Sequence, residues 1–373
     1  MTKPLIYLDN AATTYPKPGS VPRRVAEVIA DLGGNPGRGA HRMSLDASRV
    51  VFGTREALAG LLNIKDASRI AFTKNATEAI NIALKGLLKA GDHVVTTGFE
   101  HNSVVRTLAR LTRDVNVRVT KVIGKERADF VSAADVEAAI TKDTKLVAIT
   151  HASNVVGTIQ PVYEIAELCR AKGVLFMVDA AQTIGALPVD LGELGADIVV
   201  GTGHKALFGP QGTGFVYFKE GVEPEPLIDG GTGEEGVYLE MPDRFESGTV
   251  NTPGIGGLGA GIEFVLNEGV EKIRARESAL TSMLLTGLSE IEGVTIFGPM
   301  DVESRVALVS FTIEGLPPVD VGRRLDEDFL IMARCGTHCA PDAHRTIGTH
   351  PLGTNRISPG YFTTDADIEV LLK

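Results

Sequence analysis

The sequence predicts an α/β protein, with a mostly parallel central sheet followed by a smaller α+β region. Three observations lead there. Short, near-continuous apolar segments alternate with helical patterns through the first two thirds of the chain, as strands buried on both faces do. The chain has 373 residues, more than one small core organises, which points to two domains. Beyond a loop-rich stretch from Gly230 to Pro253 the alternation gives way to mixed elements.

The elements follow in order. Thr77 to Ala90 places Ile80, Ala83, Leu84, Leu87 and Leu88 on one helical face, with Gly91 as the stop. Asp92 to Thr97 reads as a strand, and so do Thr144 to Thr150, Gly173 to Val178 and Ala196 to Val200. Val162 to Ala171 is a helix between two of them. After the loop-rich stretch, Gly256 to Gly269 reads as a helix, Arg305 to Phe311 as a strand and Val319 to Asp326 as a helix. No repeat or low-complexity tract is present.

Hydrophobic residues at 43% and charged residues at 23% match a soluble globular protein. The net charge of −10, with no basic cluster, argues against nucleic acid or an anionic membrane as partner. Met1 to Pro18 lacks an apolar core of signal-peptide length, so no export signal is expected. Apolar runs such as Val174 to Val178 are too short to cross a bilayer. Three cysteines make no disulfide framework, and a reducing, cytoplasmic setting is expected.

The strongest chemical motif is Thr202-Gly203-His204-Lys205, followed by Gly209-Pro210-Gln211-Gly212-Thr213-Gly214. A lysine on a Gly-rich turn after an apolar strand suits Schiff-base chemistry, because a desolvated amine loses its proton readily and attacks an aldehyde. An exposed loop lysine is the commoner role for any single Lys, so the assignment leans on its company. Asp179 closes the apolar run from Val174 to Val178, where α/β sheets bind ligands. A carboxylate there needs a cation, which a protonated pyridine nitrogen supplies, or else it caps the next helix. Gln182, three residues on, can donate to a ring hydroxyl.

Asn75-Ala76-Thr77-Glu78 opens a helix whose free N–H groups suit a phosphate, though an ordinary N-cap fits equally. Thr202 and His204 can add donors to it. His101 lies just beyond a strand and can stack on a planar cofactor and relay protons, or be a surface loop histidine. Arg356 can clamp a substrate carboxylate or form a structural salt bridge.

Arg334-Cys335-Gly336-Thr337-His338-Cys339-Ala340-Pro341 holds two of the three cysteines. The segment has little apolar patterning and reads as a mobile loop that carries a nucleophilic thiol. Zinc on Cys335, Cys339, His338 and His344 is the rival, but the C-x-x-x-C spacing is unlike a zinc knuckle and no metal is expected. Cys169, on a helical pattern, is expected in the core. Gly254-Ile255-Gly256-Gly257-Leu258-Gly259 matches G-x-G-x-x-G, yet Asn251-Thr252-Pro253 precedes it instead of a strand. It reads as small residues packing at a helix start, which disfavours a nicotinamide-dependent dehydrogenase. A catalytically silent scaffold is opposed by the intact Lys205.

Taken in order, these motifs resemble the class V aminotransferase superfamily, and within it the cysteine desulfurases and selenocysteine lyases of the Suf-like group. The resemblance runs from Tyr7-Leu8-Asp9-Asn10-Ala11-Ala12-Thr13-Thr14 through Glu100-His101, His151-Ala152-Ser153-Asn154 and Val178-Asp179-Ala180-Ala181-Gln182 to Arg356 and Thr363. It implies a type I pyridoxal-phosphate aminotransferase fold, with a large domain at 18–255 and a small domain of 1–17 with 256–373. It implies a homodimer in which Lys205 bears pyridoxal 5'-phosphate, Asp179 pairs with the pyridine nitrogen, Gln182 faces the ring oxygen and His101 stacks on the ring. Ala76, Thr77, Thr202 and His204 would hold the phosphate, and Thr249 would reach the phosphate of the neighbouring subunit. Asn154 and Arg356 resemble contacts to the carboxylate of L-cysteine or selenocysteine. Cys339 resembles the persulfide-forming cysteine that passes sulfur to an acceptor protein. The sequence departs from the usual Gly-His-His-Cys run with Gly336-Thr337-His338-Cys339, and Cys335 is an additional thiol.

Overall fold

The computed structural model describes residues 5–37, 39, 41–124, 129–231 and 240–373; residues 1–4 of the amino-terminal segment and 232–239 of the loop-rich stretch lie outside the described residues. The strands are β1 Ile6–Tyr7, β2 Ile70–Thr73, β3 His93–Thr97, β4 Arg118–Val122, β5 Thr144–Thr150, β6 Leu175–Asp179 and β7 Ile198–Thr202. They continue with β8 Gly214–Phe218, β9 Val294–Phe297, β10 Val309–Ile313, β11 Ile331–Met332, β12 Arg334–Gly336 and β13 Thr354–Ile357.

A seven-stranded sheet runs in the order β2-β8-β7-β6-β5-β3-β4. β3 to β7 pair in parallel, while β8 is antiparallel to both β2 and β7. Successive strand residues point to opposite faces, and here both sets are apolar. Val95, Val147, Phe176, Val178 and Val199 join one buried cluster. Val94, Leu146, Ala148, Met177, Ile198 and Val200 join another, with Ile80, Leu84 and Leu108 from helices Ala76–Leu87 and Asn102–Val115. Burial on both faces explains the near-continuous apolar runs, and it bears out the expected α/β class.

A second, antiparallel sheet runs β12-β13-β10-β9. One face is packed by the helix Val270–Ser289 through Leu280, Leu284 and Leu288 against Val309, Phe311 and Ile357. The alternate residues Ser310 and Arg356 are therefore on the opposite face, turned toward the first sheet. β1 pairs with β11 in parallel and ties the chain's beginning to this region.

Several boundaries differ from expectation. The helix opening at Ala76 ends at Leu87, short of Gly91, because Leu88 turns extended and is buried. The strand expected from Arg305 begins only at Val309, since the Arg305 side chain is fully buried and serves backbone carbonyls. The helix expected from Gly256 begins at Thr252, capped by Asn251 Oδ1 on Gly254 N at 3.1 Å. The G-x-G-x-x-G run thus lies inside a helix that packs against helices Ser20–Asp31 and Arg42–Leu61. A Cβ at Gly259 would fall 2.5 Å from Thr54 Oγ1, which bears out the reading of small residues at a packed helix start. No helix among the described residues is long and apolar enough to cross a membrane.

Candidate active site

The carboxyl ends of β3, β5, β6 and β7 open into one cleft of about 180 Å³. β4 lies on one side of β3 and β5 on the other, so this is where the strand order switches and α/β sheets bind ligands. A larger groove of about 1410 Å³, bordered by Arg69 and Tyr217, contains none of the expected residues. The cleft gathers Lys205, Asp179, Gln182, His101, Ala76, Thr77, Thr202, His204, Asn154, Arg356 and Cys339. Thr249 is the exception, lying in a separate hollow beside Phe245 and Ile228.

Lys205 sits on the turn that leaves β7. That turn is closed by Gly209 N to Gly203 O at 2.7 Å and Phe208 N to Lys205 O at 2.8 Å. Gly203 is required there, as a Cβ would lie 2.2 Å from Thr213 Oγ1. Burial lowers the Lys205 amine from 10.5 to about 8, with Asp179 opposing. Asp179 ends β6, is 4% exposed, and accepts from Ala181 N at 3.0 Å. Burial raises its pKa, opposed by the Ala181 hydrogen bond and by Lys205.

At the other end of the cleft Asn75 Oδ1 caps Glu78 N at 2.9 Å. The first-turn N–H groups of Ala76 and Thr77 have no intrahelical acceptors, and both residues line the cleft. β8 approaches this turn so closely that a Cβ at Gly214 would lie 2.7 Å from the Asn75 backbone. His204 Nδ1 is buried without a hydrogen-bond partner among the described residues. Burial lowers the His204 pKa to about 4. An anion would complete this set of donors. Gln182 Nε2 donates to Ala11 O at 3.1 Å, which fixes the amide.

His101 caps the helix Asn102–Val115, its Nδ1 accepting from Ser103 N at 3.1 Å. That bond assigns the ring proton to Nε2. Burial, then the charge of Lys205, lowers its pKa to about 4, so the ring is neutral. Behind it Glu100 is fully buried, and its Oε1 accepts from Thr97 Oγ1 at 2.7 Å and Thr150 N at 3.2 Å. Burial pushes Glu100 up to about 8. In the sequence Glu100 stands out only as the neighbour of His101, with no role of its own; an acid between Phe99 and His101 at a strand's end is the signal that marks it.

Arg356 is 1% exposed and is held by Asp9 Oδ1 at 2.7 Å and Asn154 O at 2.9 Å. The salt bridge weighed against the clamp is therefore present. Its Nε is left without a partner among the described residues. Asn154 Nδ2 donates to His338 O at 2.6 Å.

Cys339 is exposed, between buried His338 and Ala340. His338 and Cys339 have φ of 47° and 60°, both left-handed, a strain on the order of 1 kcal/mol or more each. Asn102 N to Cys339 O at 2.8 Å and the Asn154 bond pin the backbone, so the segment expected to be a mobile loop is tied at consecutive carbonyls. Arg334, which the sequence places beside Cys335, instead brings Nη2 to 3.5 Å from Cys339 Sγ in the cleft. Cys335 alternates with it on β12 and packs its sulfur toward Gly322, away from the cleft. Cys169 is buried as expected, its thiol raised by burial to about 12. The His338 and His344 rings lie 5.5 Å apart and bond to Thr354 and Thr349. No metal-ligating cluster of His, Cys, Asp or Glu forms among the described residues.

The description aminotransferase class-V matches residues 6–371 of the chain. A probable cysteine desulfurase of Methanothermobacter thermautotrophicus is 39% identical over 98% of this chain and 92% of its own length. A probable cysteine desulfurase of Pyrococcus abyssi is 36% identical over 100% of this chain and 94% of its own. The solved apo structure of a cysteine desulfurase from Thermococcus onnurineus superposes with a TM-score of 0.92 at 35% identity, covering 99% of this chain and 93% of that one.

Proposed function

The chain belongs to the class-V aminotransferase family and acts as a cysteine desulfurase, and we propose that it does so with pyridoxal phosphate on Lys205 and Cys339 as the sulfur-accepting thiol. The observation that carries this reading is one cleft with an amine lowered to about 8 beside a buried carboxylate, and an exposed thiol at its edge.

The residues fit the cofactor. Lys205 Nζ would hold it covalently, and the buried Asp179, whose charge Lys205 partly offsets, would pair with the ring nitrogen. The N–H groups of Ala76 and Thr77, the Thr202 hydroxyl and the orphaned His204 Nδ1 would take the phosphate. Gln182 would face the ring oxygen and His101 the ring plane. When bound, pyridoxal phosphate captures the substrate amine and stores the charge released at the α-carbon.

Arg356, through its free Nε, and Asn154 would orient the carboxylate of L-cysteine. Lys205 Nζ and His101 Nε2 would move protons at the α-carbon and β-carbon. The Cys339 thiolate attacks the substrate sulfur; an S–S bond forms as the substrate Cβ–S bond breaks, and that bond's electron pair stays with the carbon skeleton. The skeleton takes up a proton and leaves as alanine, and the sulfur stays as a persulfide on Cys339. Arg334 holds the attacking sulfur at the cleft.

The same reading assigns a large domain to 18–255 and a small domain to 1–17 with 256–373, in a cytoplasmic homodimer. Thr249, remote from this cleft, would then serve the phosphate of the neighbouring subunit. The exposed Cys339 would hand its sulfur to an acceptor protein. The test is the purified holoenzyme with L-cysteine. A visible absorption band that changes on adding cysteine, with one alanine formed per sulfur released, is the expected result. A protein that stays colourless with pyridoxal phosphate, or forms no alanine, overturns the reading.

A further inference from the structure

β13 and its neighbours place three side chains in one row. Arg356 stands opposite Ser310 across the β10–β13 pair and opposite Arg334 across the β12–β13 pair. Cross-strand partners share a face of the sheet, and Arg334 and Arg356 both line the cleft. Ser310 is fully buried, and its hydroxyl donates to Val155 O.

That bond belongs to a series. Arg356 Nη1 donates to Asn154 O at 2.9 Å, Ser310 Oγ to Val155 O, and Arg305 Nη2 to Val156 O at 3.2 Å. Three consecutive carbonyls of the segment after β5 are thus each taken by a side chain from the region of the second sheet. On the other side of the ribbon, Ser153 Oγ accepts from Val155 N at 3.1 Å and Val156 N at 3.2 Å. The register of the second sheet therefore sets where Asn154 sits, and a one-residue slip of β10 would turn Ser310 to the helix-packed face.

We propose that Ser310 is a positioning residue for substrate-carboxylate recognition, acting through the Val155 carbonyl on Asn154 and Arg356. This rests on the carboxylate role given to those two residues above. Arg356 has a second anchor in Asp9, and Arg305 also bonds Leu308 O. Among the described residues the Ser310 hydroxyl bonds only to Val155 O, so its removal loosens the ribbon with little other consequence.

The test is Ser310→Ala in the holoenzyme, titrated with L-alanine and with ethylamine, the same skeleton without a carboxylate. One lost hydrogen bond should weaken L-alanine about fivefold to tenfold while leaving ethylamine unchanged. Amide exchange at Val155, Val156 and Gly157 should quicken in the cofactor-free chain, which reads the ribbon without any turnover. Equal weakening of both ligands, or unchanged L-alanine binding, overturns the inference, as does unchanged exchange at the ribbon. Alanine production from L-cysteine by the unsubstituted enzyme is scored separately. Its failure would fall on the desulfurase reading and leave the binding and exchange comparison standing.

Discussion

Asp9 Oδ1 stands 2.7 Å from Arg356 Nη2, an ion pair that joins the start of the chain to β13 beneath the cleft. The arginine is almost wholly enclosed, and burial lowers its pKa while Asp9 opposes the shift. A buried guanidinium that loses its carboxylate keeps the desolvation cost without the compensating charge.

Asp9→Asn should therefore destabilise the protein by about 2 kcal/mol, the scale of a charge-assisted hydrogen bond. Urea unfolding at neutral pH measures it. A variant as stable as the parent would mean that Asn154 O and solvent suffice for Arg356.

Lys205 gives a pH-dependent prediction with a defined sign. Its folded pKa of about 8 lies below its ordinary 10.5. Between those values the unfolded chain binds more protons, so this group makes the fold more stable as pH rises from about 8 to about 10.5. Below pH 8 the penalty is present in full. Lys205→Met should stabilise the cofactor-free chain at pH 7 by about 1–3 kcal/mol, and the gain should shrink toward pH 10. Urea midpoints of both proteins at the two pH values test it; a gain that does not shrink contradicts it.

Glu100 gives the opposite slope. Burial holds its folded pKa at about 8, above its ordinary 4.5. Between those values the folded chain binds more protons, so this group's contribution to stability falls as pH rises. Glu100→Gln, which mimics the neutral acid, should gain on the parent between pH 5 and pH 8, by about 2 kcal/mol or more at the upper end. A stability difference independent of pH would show that Glu100 is ionised throughout.

The three thiols should separate by reactivity. Cys339 is exposed, Cys335 is half-buried toward Gly322, and Cys169 is buried with its thiol raised to about 12. Limited alkylation of the native protein with iodoacetamide should label Cys339 first and leave Cys169 unlabelled until unfolding. Peptide mapping over time checks the order, and early labelling of Cys169 would contradict the packing described.

The parts of the site legible in the sequence are those with local signatures. Lys205 and Asp179 stand out because one follows and the other closes a buried strand, whose near-continuous apolar run marks where the strand ends. Asn75 stands out because capping is a contact three residues long. Asp9 and Ser310 leave no such trace, since their partners Arg356 and Val155 lie far off in the chain and meet only when the two sheets pack. β12 is three residues long, too short for a period-two pattern, so Arg334–Gly336 looks like loop and Cys339 looks mobile. The tie between Asn102 N and Cys339 O is likewise a product of the folded arrangement.

The central claim is that Cys339 takes the sulfur of L-cysteine. The most direct measurement is peptide mass spectrometry of the holoenzyme after a single turnover, searching each cysteine for one added sulfur atom. The added sulfur should be on Cys339 alone, with an equal amount of alanine, and Cys339→Ala should form no alanine from cysteine while still changing the visible spectrum on binding it. Sulfur found on Cys335 or Cys169 instead, or full alanine production by Cys339→Ala, would contradict the account.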